Sequence, residues 1–179
     1  RQMAGGDTWP LDYDALAYHD FQHHQTFDVA GIETGDSLEA FVENSQAYQA
    51  ALLKYAIEKY RRNKYEKIGC MFQFMFVDCW PSITWSVLSH NRKPKKGYYT
   101  LQEVYQPVLI AAELDRRIVK QSVDKGSPPR PMVLRLWAVN DRHESLEGCE
   151  YRVFLRKDST IVEAARGTVD LPADTVSDL

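Results

Sequence analysis

Cysteine is scarce in this chain of 179 residues: Cys70, Cys79 and Cys149 are all there is. An odd count argues against a disulfide framework, and no pair has zinc-ligand spacing. Three buried or half-buried thiols in a reducing, cytoplasmic compartment are the expectation. Long apolar runs are missing too: none approaches the ~20 residues a membrane helix needs. Signal-peptide features are absent, and the chain opens with Arg1 rather than an initiator Met, as a fragment or processed chain would. Charge of one sign is not in excess. Lys and Arg number 22 against 25 Asp and Glu, a net −3 with no basic stripe, so nucleic acid is not an expected partner. No glycine loop stands ready to cradle phosphate. No metal or cofactor is implied.

What is present suits one globular domain or two small ones, with 44% hydrophobic residues. Residues 1–36 carry Gly5-Gly6, Trp9-Pro10, Gly31 and Gly35 among aromatics and histidines, and read as a long loop with a helical turn around Tyr13–Tyr18. Asp36 opens a helix: Asp36 and Glu39 have capping-box spacing, with Ser37 as a competing cap. Leu38, Phe41, Ser45, Tyr48, Leu52 and Tyr55 form its stripe, broadened by Leu53, Ile57 and Tyr60. Lys59, Arg61, Arg62 and Lys64 suit the negative end of the helix dipole. Residues 68–77, Ile-Gly-Cys-Met-Phe-Gln-Phe-Met-Phe-Val, are apolar on both alternating faces. That pattern predicts a parallel strand covered on both sides. A short helix is expected over Lys95–Tyr105, ended by Pro107. Beyond it, strand candidates at 108–111, 133–139, 151–155 and 169–171 alternate with turns at 127–129, 140–141, 147–148 and 157–159. Four to six such strands suggest an incomplete antiparallel sandwich.

The chemistry-bearing cluster lies at the end of the apolar run: Asp78, Cys79, Trp80 and Pro81, with Trp85 close behind. Barrels bind ligands at the C-terminal ends of their strands. Indole faces stack on pyranose rings and a carboxylate accepts hydroxyl hydrogen bonds, so a sugar site is one reading. In an extended strand Phe74, Phe76 and Asp78 would share a face. The alternative is that Trp80 and Trp85 are core aromatics and Asp78 caps the next turn.

Residues 69–88, from Gly69 through Asp78-Cys79-Trp80-Pro81 to Trp85-Ser86, resemble the last barrel strand of β-mannosidase-type family 2 glycoside hydrolases. Arg92-Lys93-Pro94-Lys95-Lys96-Gly97-Tyr98-Tyr99 resembles the start of that family's last barrel helix. Residues 36–42 and 45–50 resemble the helix before it. Residues 136–141 and 169–177 resemble strands of the following sandwich. Phe74 stands where the family carries Trp, and Val77 where it carries Asn. The resemblance implies an α+β chain: residues 1–106 as the last βα elements of a (β/α)8 barrel, and residues 107–179 as an incomplete immunoglobulin-like β-sandwich. It implies a retaining exo-β-glycosidase acting on a terminal sugar, mannose first, with Phe74, Asp78, Trp80 and Trp85 lining the sugar site.

Retaining glycosidases need two carboxyl groups about 5–5.5 Å apart. The resemblance places both family glutamates before the matched segment. A barrel also takes ~250 residues. The chain alone is therefore expected to be inactive, and copies are expected to associate through the bare apolar strand. The rival reading is a non-catalytic carbohydrate-binding or interaction module. Two smaller ideas are weaker. His19 and His23 would share a helix face as a two-point metal grip, but no third ligand accompanies them. Cys79 has no base placed beside it for nucleophilic work. Lys93–Lys96 reads as a solvated helix start.

Overall fold

The structure, a computed structural model, describes residues 9–17, 22–81, 83–113 and 133–179. It holds three α-helices among these residues, α1 (Tyr13–Ala17), α2 (Leu38–Arg62) and α3 (Lys96–Val104). A π-helical turn spans Gln25–Val29. Five strands follow: β1 (Val108–Glu113), β2 (Arg135–Asn140), β3 (Leu146–Lys157), β4 (Thr160–Leu171) and β5 (Thr175–Asp178). The described residues form two compact units. One runs to Glu58 and resumes at Gly69–Tyr105; the other takes Lys59–Ile68 and Gln106–Leu179.

In the first unit α2 begins where Ser37 Oγ accepts the Ala40 N–H at 3.1 Å, so the serine is the cap. Ile57, Val87, Leu101 and Val104 make the core, with Leu53, Met71 and Tyr98 packed against them. Each such burial contributes about 1.5–3 kcal/mol. The buried residues of α2 are Phe41, Ile57 and Arg61, with Leu53 half-buried between them. Leu52 and Tyr55, expected on the apolar stripe, are exposed. Contact with α3 decides this: Gly97 lies so close that a Cβ there would meet Gln49 Oε1 at 2.9 Å and Leu53 Cδ1 at 3.0 Å. The N-terminus of α3 is capped from α2, Gln46 Oε1 accepting the Lys96 N–H at 3.0 Å.

Residues 68–77 depart from expectation. They form no strand. The Phe74–Met75 peptide is cis, and the segment's ladder-like pairing is confined to isolated parallel bridges at its two ends, Ile68 with Lys64 and Val77 with Leu88. Phe72 is 89% exposed and Phe74 74%. A strand buried on both faces needs neighbours on both sides, and the unit's described elements are helices and loops. The segment instead borders a groove floored by Leu101 and walled by Met71, Phe76, Tyr98 and Tyr105.

In the second unit β1, β2 and β5 form one antiparallel sheet with β2 central, and β3 and β4 form an antiparallel pair. Register sets Leu109 opposite Val139 and Ala111 opposite Trp137. These four are the buried core, with Val176 beside them. Asn140 is buried with every polar atom used: its Nδ2 donates to the carbonyls of Glu144, Leu171 and Pro172, and its Oδ1 accepts the Arg142 N–H. Asp158, at φ 53°, turns β3 into β4 within the expected turn. Gly148, at φ 62°, is not the expected turn; it sits in a register shift inside β3, where a bulge favours glycine. The basic residues ending α2 are engaged in this unit. Arg61 donates to Gln106 O at 2.8 Å and Asp141 Oδ2 at 2.7 Å. Lys64 bridges Asp141 and Asp174, and Tyr65 Oη donates to Asp174.

Candidate functional site

The residues after Val77 fold back into a tight loop. Phe76 O accepts the Leu88 N–H, and Asp78 N–H donates to Leu88 O, both at 3.0 Å. Val87 O in turn accepts the Lys95 N–H at 2.9 Å. Gln49 reaches from α2 and donates to Trp85 O at 3.0 Å and Ser86 O at 3.2 Å. The loop is thus anchored at both ends, in its late portion and to two helices.

Asp78 lies inside it and is 5% exposed. Its Oδ1 accepts from Ser86 Oγ at 2.5 Å and from Thr84 Oγ1. Its Oδ2 faces Lys95 Nζ at 3.1 Å, and the same Nζ donates to Ser86 Oγ at 2.9 Å. Burial works to raise the pKa of such a carboxyl. The hydrogen bonds from Ser86, Thr84 and Lys95 outweigh it and hold Asp78 below its ordinary 3.8. It is a carboxylate at neutral pH with its charge matched inside the fold.

The aromatic residues stand apart from it. Phe74 and Trp85 approach with ring centroids 6.3 Å apart and planes tilted by 41°. Trp80 and Trp85 are each about half exposed. The structure therefore brings Phe74 and Trp85 together, sets Trp80 on the same loop, and seats Asp78 in a polar network rather than on the exposed face of Phe74 and Phe76. Thr84 and Ser86 are polar residues that sequence reasoning missed, and Lys95, expected in a solvated helix start, is instead drawn in against Asp78 with its side chain 17% exposed. Their one signal is that Thr84 and Ser86 alternate with Ile83, Trp85 and Val87 just past a carboxylate.

The smaller candidates fare differently. His19 lies outside the described residues, so the His19–His23 pair does too. His23 packs edge-on against Tyr13 and Phe27, and His24 Nδ1 pairs with Asp28 at 2.9 Å on the surface. No group of three or more His, Cys, Asp or Glu able to hold a metal occurs among the described residues. Cys70 and Cys79 are exposed thiols, correcting the expectation of burial; Cys149 is half-buried. No helix among the described residues is long and apolar enough to cross a membrane.

No family model matches the chain. It is similar to the β-mannosidase B of Aspergillus terreus, 23% identical over 94% of this chain and 21% of that protein. It is similar to the β-mannosidase B of Aspergillus niger, 25% identical over 83% of this chain and 18% of that protein. Among solved structures it resembles a β-D-mannosidase from Dictyoglomus thermophilum, with a TM-score of 0.69 and 19% identity, covering 92% of this chain and 19% of that one. It also resembles the exo-chitosanase CsxA of Amycolatopsis orientalis, with a TM-score of 0.61 and 17% identity over 80% of this chain and 16% of that one. The chain spans about a fifth of the length of these relatives.

Proposed function

We propose, from the premise that this chain is a β-mannosidase-like segment, that it contributes sugar-contacting aromatics to a longer retaining exo-β-glycosidase of the family 2 type. Residues up to about 106 would supply the last βα elements of its barrel, and β1–β5 would belong to an immunoglobulin-like sandwich. A terminal mannose is the foremost substrate. One observation carries the reading: Phe74, Trp80 and Trp85 are exposed aromatics on and beside a firmly anchored loop in the stretch that matches β-mannosidases. Such faces stack on the apolar side of a pyranose.

By itself the chain is not expected to hydrolyse glycosides. Asp78 is the one buried carboxylate among the described residues, and its oxygens are engaged. Two free carboxyl groups about 5–5.5 Å apart are needed for retention. The purified chain should release no more aryl alcohol from an aryl β-mannoside or β-galactoside than its Asp78→Ala variant does. Hydrolysis above that control would overturn the expectation.

One observation favours a second reading, a non-catalytic carbohydrate-binding module: Asp78, the carboxylate at the base of the loop, is neutralised by Lys95, while the aromatic side chains are exposed. Upstream coding sequence separates the two. A barrel with two strand-end glutamates supports the enzyme; a natural start near Arg1 supports the module.

A further inference from the structure

We infer that Lys95 and Asp78 are positioning residues: with Thr84 and Ser86 they form a buried clasp that sets the two indoles of the 79–85 loop. The functional meaning of the clasp rests on the aromatic reading above; its existence as a positioning device does not. The bonds fall where the loop needs them. Asp78 stands two residues before Trp80. Thr84 and Ser86 stand on either side of Trp85, and both hydroxyls donate to the same carboxylate oxygen, Asp78 Oδ1. Lys95 closes the clasp on the second oxygen from the residue just before α3. That residue is fixed in turn, because the next backbone N–H is held by Gln46 of α2 and its own by Val87 O.

The side chain of Lys95 is 17% exposed and that of Asp78 3%. Away from water such bonds strengthen, and each lost partner is felt by the rest. Trp80 and Trp85 are each about half exposed, so apolar burial fixes them only in part. The polar bonds behind them supply a further share of their placement.

The test uses the whole chain with 5-fluorotryptophan in place of its four tryptophans, Trp9, Trp80, Trp85 and Trp137. Fluorine resonances are assigned by single Trp→Phe changes. Lys95→Met should shift the Trp80 and Trp85 resonances toward the solvent-exposed position. It should leave Trp137, buried in the other unit, in place. Lys95→Arg, which keeps charge and donors, should restore both. Unmoved Trp80 and Trp85 signals in Lys95→Met overturn the proposal, and so does failure of Lys95→Arg to restore them. If Lys95→Met loses its helical circular dichroism, Thr84→Val takes its place. That variant removes the Thr84 hydroxyl's donation to Asp78 Oδ1 and its acceptance of the Ser86 N–H while leaving Lys95 in place, and the same two resonances should shift by less; an unchanged spectrum overturns the clasp. Titrating the unaltered chain with methyl β-D-mannoside is a separate arm. No response there, with the Lys95→Met shifts present, removes the aromatic reading and leaves the clasp.

Discussion

Asp78 shows what a single buried charge does to this chain. Its folded-state pKa is lowered, because hydrogen bonds from Ser86, Thr84 and Lys95 overcome the effect of burial. A lowered carboxyl favours the folded state above its unfolded value, and that contribution is lost as pH falls through the folded value. The stability gap between the chain and Asp78→Asn should therefore be flat from neutral pH down to the ordinary 3.8. Below that it should narrow. The plateau should be about 3 kcal/mol, the low end for breaking one partner of a buried pair, since Asn keeps an acceptor for the hydroxyls. Urea unfolding at several pH values measures it; a gap that narrows already above pH 5 would contradict the assignment. The carboxylate and indoles were legible in sequence as a chemistry-bearing group. Their separation was not, because the residues that claim Asp78 lie six to seventeen positions later and are ordinary Thr, Ser and Lys.

At the scale of elements, the helix-to-helix approach at Gly97 leaves no room for a further carbon. Alanine there gains helix propensity of up to about 1 kcal/mol. It must also displace Gln49, whose amide holds the carbonyls of Trp85 and Ser86. Overpacking of this kind costs about 1–3 kcal/mol. Gly97→Ala should lose about 1 kcal/mol net in denaturant unfolding, and a Gln49→Ala background should lessen that loss without abolishing it, because Leu53 Cδ1 at 3.0 Å and Val87 Cγ1 at 3.2 Å must still give way. Helices and antiparallel strands were readable because periodicity and turn residues are local signals: α2, α3 and the Asp158 turn lie where 3.6- and 2-residue patterns put them. Residues 68–77 were misread because the pattern of a strand covered on both faces says nothing about whether the covering elements are present. Gly148 was misread because a glycine in a bulge and one in a turn carry the same sequence mark.

For the molecule as a whole, the exposed run from Met71 to Val77 dominates. Phe72, Phe74 and Phe76 are all exposed, beside the groove over Leu101. Apolar surface of this kind drives association, so the chain should self-associate as its concentration rises. Light scattering across a dilution series measures it, and a monodisperse monomer throughout would count against it. Phe72→Lys, an exposed change in that run, should weaken association without altering the helical signal. Similarity to β-mannosidases was legible in the order of several modest motifs spread over nearly the whole chain.

The ending of α2 reaches further than the helix itself suggests. Its residues up to Glu58 belong to one unit, and Lys59–Ile68 to the other. A construction that severs the polypeptide after residue 106 would strip the later piece of Arg61, Lys64 and Tyr65, leaving Asp141 and Asp174 without the groups they bind. No single cut yields both units whole. The β-rich unit can be excised intact only if Lys59–Ile68 is grafted back onto it, which makes this decapeptide the splint that any dissection of the chain has to carry along.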